Sequence, residues 1–298
     1  MLMTLGALAA IALVLGLSLQ FAIARNGPAV LTAVDRLAGG DGDAELKASL
    51  SFGEDPAQQL LIWGPATSDA EARPLPVILF SHGGSWRSGN PVDYGFFARA
   101  FVPKGFVVAL AGYRLHPQAE YPAMLEDTAR AIALTHREIG QYGGDPARIT
   151  LAGHSAGAYN VVMAGLEEQW LDREGLSTQL LSGVVGLSGP YDFYPFDSES
   201  TINSFGNAAE PEETQPINHV RADAPPVLLI HGEQDTLVKP RNSRVLASGL
   251  EEQGAEVTLQ LYPSMNHNDP LVSLAAPWRN SRDIDDLIAR FAENPDAF

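Results

Sequence analysis

Gly153-His154-Ser155-Ala156-Gly157 sets a serine between two glycines in the form G-x-S-x-G. The apolar run Ile149-Thr150-Leu151-Ala152 stands directly before it and a segment of helical character directly after it. A strand, a sharp turn and a helix in that order hold a serine at a strained backbone angle above the end of the strand. The glycines have a steric reason, because side chains at 153 or 157 would collide with the neighbouring strand and helix. Ser155 would then project at a helix N-terminus, whose dipole favours developing negative charge. The chemistry this predicts is nucleophilic attack on a carbonyl carbon.

A serine hydroxyl attacks poorly until a base takes its proton, and the base in turn needs an orienting carboxylate. Val227-Leu228-Leu229-Ile230 runs into His231-Gly232-Glu233-Gln234-Asp235, and Val257 to Tyr262 runs into Pro263-Ser264-Met265-Asn266-His267. Asp235 and His267 are therefore expected in neighbouring loops at strand ends, as acid and base, with Glu233 competing for the acid's place. The carbonyl oxygen needs donors as its charge develops. His82-Gly83-Gly84-Ser85-Trp86 follows the run Val77 to Phe80, and its paired glycines let backbone N–H groups near Gly84 and Ser85 approach a substrate, with the Ala156 N–H as a further donor. Sequence leaves open which of Gly83, Gly84 and Ser85 donates. Losing one such donor costs about 3 kcal/mol of transition-state stabilisation.

Trp86 adjoins this loop, and Tyr191, Phe193, Tyr194, Phe196 and Phe205 cluster further on, so Trp86, Tyr191 and Phe193 are expected as pocket walls for an apolar or aromatic group. The other histidines read as structural. His82 braces its loop, His154 and His231 bond locally, and His136 falls on a helix stripe. His116 and His219 have no companions at metal-ligand spacing, so no metal is expected, and the chemistry needs no cofactor.

The elements that must position these residues alternate along the chain. Val77 to Phe80, Val107 to Leu110, Ile149 to Ala152, Val184 to Leu187 and Val227 to Ile230 are apolar on both faces, as buried parallel strands are. Val257 to Tyr262 alternates apolar and polar, which fits an edge strand. Between the runs, Leu125, Ala129, Ile132, His136 and Ile139 mark a helix entered at Pro122 and ending at Gly140. Further helices follow Ser155, run from near Pro240 to Gly254, and carry Ile284, Leu287, Ile288 and Phe291 on one stripe. The expected class is α/β, a mostly parallel sheet covered by helices on both faces. Residues 191–224, acidic and aromatic without clear period, read as a small irregular insertion.

Leu5 to Ile23 is almost wholly apolar, and the first charged side chain is Arg25. Such a run is long enough to cross a hydrocarbon core of about 30 Å as a helix. Residues 1–24 are expected to be either an uncleaved membrane anchor or an export signal removed at Ala22-Ile23-Ala24. A linker over 25–49 and one catalytic domain over 50–298 would follow. The body holds 19 basic against 36 acidic residues, a net charge of −17, which repels phosphate backbones and excludes nucleic acid as a partner. With no cysteine, the chain has no disulfide and no thiolate metal site.

Taken together, H-G-G-S-W, Tyr113-Arg114-Leu115, Tyr121-Pro122, Tyr142-Gly143-Gly144-Asp145-Pro146, G-H-S-A-G-A and Gly189-Pro190-Tyr191-Asp192 resemble the carboxylesterase-type α/β-hydrolases grouped with feruloyl-esterase-like and kynurenine-formamidase-like enzymes. The resemblance runs from about residue 50 to 295. It implies the α/β-hydrolase fold, Ser155, Asp235 and His267 as the triad, the H-G-G loop as the oxyanion hole, and a small-molecule ester as substrate. The same machinery would serve an arylformamidase or a carbohydrate or feruloyl ester deacylase. A non-catalytic binding protein on the same fold is the reading from another class. The loop reads H-G-G-S-W rather than H-G-G-G, which sets the chain apart from the hormone-sensitive-lipase-like esterases.

Overall fold

The computed structural model describes residues 20, 22–23, 25–40, 42–67 and 73–298. The strands are β1 (Ala44–Ser51), β2 (Gln59–Pro65), β3 (Leu75–Ser81), β4 (Val107–Ala111), β5 (Gly144–His154), β6 (Leu181–Leu187), β7 (Val227–Gly232) and β8 (Val257–Tyr262). They form one sheet in the order β1-β2-β4-β3-β5-β6-β7-β8, in which β2 runs antiparallel to β1 and β4 and the remaining pairs are parallel. The helices are α1 (25–37), α2 (Gly95–Phe101), α3 (Ala123–Glu138), α4 (Ala156–Leu166), α5 (Gln169–Asp172), α6 (Glu199–Phe205), α7 (Arg241–Gln253), α8 (Asp269–Val272) and α9 (Ile284–Glu293).

Because successive strand side chains point to opposite faces, the doubly apolar runs divide between two cores. Val77, Leu79, Ile149 and Leu151 face one way and pack with Leu125 and Ile132 of α3, Val161 and Val162 of α4, and Leu246 and Leu250 of α7. Ile78, Phe80, Val108 and Leu110 face the other, against Phe97 and Phe101 of α2 and Ile288 and Phe291 of α9. Strand β8 lies at the sheet edge and is half-buried along its whole length, as its alternation requires. This is the α/β-hydrolase fold.

Three stretches differ from the sequence reading. The linker expected over 25–49 is instead α1 followed by the start of β1. Within α1, Asn26 Oδ1 accepts from the Ala29 N–H. Fully buried Asp35 anchors α1 by accepting from Arg99 Nε (2.6 Å), Arg279 Nη2 (2.9 Å) and the Ala276 N–H (2.9 Å). A buried ion pair fixes position more than it stabilises, and breaking one by deleting a partner costs about 3–5 kcal/mol. Strands β1 and β2 are absent from the sequence reading: β1 keeps a polar outer face, whereas the apolar run Leu60-Leu61-Ile62-Trp63 in β2 is a signal that the reading passes over. The insertion at 191–224 is not wholly irregular: it holds α6, whose start is closed by a capping box between Ser198 and Thr201, and two 3-10 turns. Apart from Gln20, Ala22 and Ile23, the apolar segment over 1–24 lies outside the described residues, and among the described residues no helix is long and apolar enough to cross a membrane.

Candidate active site

Strand β5 ends at His154 and α4 begins at Ala156, which leaves Ser155 alone in the turn at φ 55° and ψ −119°. A non-glycine residue held there carries about 1–3 kcal/mol of strain. The Ser155 N–H donates to Leu187 O at the end of β6 (2.8 Å), which pins the turn to the sheet. A Cβ added at Gly157 would lie 2.1 Å from Ser81 O, and one at Gly153 would lie 2.3 Å from Gly157 O. The collisions expected from the sequence are thus with β3 and with the first turn of α4. The Ser155 hydroxyl makes no capping bond to α4, so it is available to another partner.

That partner is His267. Ser155 Oγ lies 2.9 Å from His267 Nε2, and His267 Nδ1 lies 2.7 Å from Asp235 Oδ2. With Nδ1 carrying the proton donated to Asp235, Nε2 is left to accept from the serine. Asp235 also accepts from His231 Nε2 (3.1 Å) at Oδ2 and from the Leu237 and Val238 N–H groups (2.9 Å each) at Oδ1. Burial alone would push this carboxyl up, but the bonds from His231, His267 and the Val238 backbone outweigh it and hold the group well below the usual carboxylate range. His231 donates from the same Nε2 to Val238 O, so its Nδ1 accepts from the Ser243 hydroxyl (2.7 Å). The competing carboxylate, Glu233, points away and pairs with Arg244 at the surface.

The loop after β3 approaches Ser155 so closely that a Cβ at Gly83 would sit 2.9 Å from His154 O and 3.2 Å from Ser155 Cβ. Ser85 and Trp86 take left-handed backbone angles, φ 54° and 55°. The strain is held by several bonds. Trp86 Nε1 donates to Asn160 Oδ1 on α4 (3.2 Å), the His116 N–H donates to Trp86 O (2.8 Å), and the Arg87 and Ser88 N–H groups both donate to Gly84 O (3.1 Å each). His82 stacks on Tyr113 and bonds Gly83 O through Nδ1, and the Tyr113 hydroxyl donates to His82 O. Gly83, Gly84, Ser85 and Ala156 border the space over Ser155.

Two hollows meet at Ser155, of about 330 and 440 Å³. Trp86 and Phe193 line the larger. Tyr191 does not serve as a wall: its ring is fully buried, with the hydroxyl packed against Gly186 and Gly189, and its backbone N–H is tied to Asn242 Oδ1. The sequence reading passed over Arg25, Asn26, Gly27 and Pro28, which line the smaller hollow beside His267. It passed over Asn160 too, which nothing local marks. Tertiary folding also gives His219 companions that its sequence neighbours did not show. One carboxylate oxygen each of Glu167 and Glu213 and one ring nitrogen of His219 lie within 4.8 Å of one another, and Trp170 Nε1 donates to Glu167.

Two histidines that brace the site are fully buried. Desolvation pushes His82 down to about 4 and His154, which also feels nearby His267, down to about 3, against 6.5 in the open chain. The unfolded chain therefore binds protons on both below pH 6.5 while the native protein does not, so this stability is complete above that value and lost as pH falls towards 4. At pH 5 each should cost about 2 kcal/mol, roughly 4 together. Urea unfolding at pH 7 and pH 5 checks this, and equal stabilities at the two would contradict it.

Comparison with known proteins agrees with the geometry. The chain is 28% identical over 268 residues to an isoprenylcysteine alpha-carbonyl methylesterase of Arabidopsis thaliana, covering 82% of this chain and 62% of the relative. It is 30% identical over 212 residues to the esterase LipC of Mycobacterium tuberculosis, covering 65% of this chain and 52% of that protein. The chain thus spans about half to three fifths of the length of these relatives. Among solved structures, esterase B from Lactobacillus rhamnosis superposes with a TM-score of 0.74 at 19% identity, covering 95% of this chain and 96% of that one. A carbohydrate esterase from gut microbiota gives 0.70 at 21% identity, covering 84% and 96%. At such identities the likeness is one of fold. The family model BD-FAE matches residues 62–250, from β2 through nearly all of α7, and so takes in the H-G-G-S-W loop, the Ser155 turn and Asp235; on that match the chain belongs to the BD-FAE family.

Proposed function

We propose that this chain is a serine hydrolase of carboxylic esters. The observation that carries the reading is the continuous line from Ser155 Oγ through the His267 ring to Asp235 Oδ2, with steps of 2.9 and 2.7 Å, beside a glycine-built oxyanion loop. Ser155 Oγ bonds to the carbonyl carbon as its proton passes to His267 Nε2, and the carbonyl oxygen takes its charge among the N–H groups of Gly84, Ser85 and Ala156. The intermediate collapses as the bond to the alcohol oxygen breaks and Nε2 returns the proton to that oxygen. Water then attacks the acyl-serine, gives a proton to Nε2 and displaces Ser155 Oγ, which is reprotonated as the carboxylic acid leaves. Asp235 holds the imidazole in the required tautomer throughout.

The names of the relatives, esterase and methylesterase, support an ester as substrate. An N-formyl amide or a sugar-borne acyl group would pass through the same steps. A fluorophosphonate probe should label the protein on Ser155, and a series of p-nitrophenyl esters with N-formylkynurenine alongside should rank the acyl donors. A protein that takes no label and cleaves none of these is a binding protein on a hydrolase fold. For residues 1–24 we propose a membrane tether or an export signal, on the strength of the apolar run before Arg25. Resistance of the full chain to carbonate extraction supports the tether, a soluble species beginning at Arg25 supports the signal, and an unprocessed soluble chain overturns both.

A further inference from the structure

Ser85, Ser155 and Leu237 border both hollows. Leu237, 70% exposed, belongs to the loop that supplies Asp235. The smaller hollow is lined by His267, Asn268 and Leu271 on one side and by Arg25 to Pro28 of α1 on the other. The larger is lined by Trp86, Ala156 and Phe193, and His267 does not reach it.

An ester has two unlike arms, and the chemistry assigns them. When the intermediate collapses, the proton on His267 Nε2 must go to the alcohol oxygen, so the alcohol arm lies on the side of that ring. We propose that the smaller hollow holds the alcohol and the larger one the acyl group, and that residues 25–28 of α1 are the outer wall of the alcohol site. The assignment rests on the serine-hydrolase reading and adds to it which residues select each half of the substrate.

The wall is fixed in place. Asn26 accepts from the Ala29 N–H and donates from Nδ2 to Asp93 Oδ2 (2.8 Å), the Thr32 hydroxyl donates to Asp93 O (2.7 Å), and Asp35 is locked between Arg99 and Arg279. The space has apolar surface from Tyr94 and Leu271 and polar groups from Asn26 and Asn268. At about 330 Å³ it suits an alcohol of one ring bearing hydrogen-bonding groups.

Acyl-enzyme kinetics separate the two arms, because the alcohol has left before deacylation begins. Arg25 is exposed, so Arg25→Trp can narrow the smaller hollow without disturbing the core, and Arg25→Ala widens it. Phe193→Ala opens the larger one. Each variant is assayed on acetate esters of methanol, benzyl alcohol and glucose, and on p-nitrophenyl acetate, butyrate and benzoate, with deacylation followed by stopped flow. Arg25→Trp should lower kcat/KM for the benzyl and glucosyl esters about tenfold relative to methyl acetate, and Arg25→Ala should shift the same ratio the opposite way. Both should leave the acyl ranking and the deacylation constant unchanged. Phe193→Ala should do the reverse. Exchange of the two patterns, or rankings that no variant alters, overturns the assignment. Fluorophosphonate labelling of each variant is read first: failure of the parent protein to label defeats the serine-hydrolase reading, whereas normal labelling with unaltered rankings defeats only the division of the site.

Discussion

Ser155→Ala should lower kcat on a soluble ester by on the order of a millionfold while leaving the fold in place. Alanine keeps what the turn asks of this position. The Ser155 backbone N–H still reaches Leu187 O, the strained angles of φ 55° and ψ −119° burden serine and alanine alike, and no helix cap is lost. The missing oxygen removes only the bond to His267 Nε2. Steady-state rates and thermal melts on the same preparations check both halves. Retention of more than about a hundredth of the activity would move the nucleophile elsewhere, since what the oxyanion donors achieve without a triad member is far smaller.

Asp235→Asn is expected to cost about ten thousandfold in kcat, and Glu233→Gln less than about twofold. The difference follows from the partners. The Leu237 and Val238 N–H groups hold the Oδ1 side of residue 235 as an acceptor, so an asparagine would turn its NH2 towards His267 Nδ1 and His231 Nε2. A donor facing Nδ1 selects the tautomer with the proton on Nε2, and that nitrogen then cannot take the serine proton. Glu233 meets only Arg244 at the surface, so its neutral form disturbs nothing near His267. The opposite ranking of the two variants would make Glu233 the acid.

Most of the site could be read from the chain because its signals are local. The strand before Ser155, the two glycines around it and the loops carrying Asp235 and His267 each occupy a few consecutive residues, and the parallel sheet brings their carboxyl ends to one edge. Helices α3 and α7 are legible in the same way, through apolar stripes and closing glycines, and α9 through its stripe alone. Non-local contacts were hidden. Asp35 reads as a linker charge until Arg99 and Arg279 are beside it, and Asn160 as one more residue on a buried helix until Trp86 donates to it. Tyr191 shows the converse: an aromatic residue in a chemically promising stretch is buried to support its own turn. Strand β1 escaped because an antiparallel strand next to the solvent needs few apolar residues to hold its register.

The bond from Arg279 to Asp35 joins residues 244 positions apart. A ribosome adds about 5–20 residues per second, so roughly 12–50 s pass between the synthesis of one partner and of the other. Throughout that interval Asp35 has at most Arg99 to answer its charge, and α1 has no complete seat. Asp235 and His267 also lie far along the chain, so the line from Ser155 to Asp235 and the wall beside it can be complete only after Arg279 has been made. A nascent chain therefore carries Ser155 long before His267 and Asp235 exist to partner it, and the proposed hydrolysis waits on them.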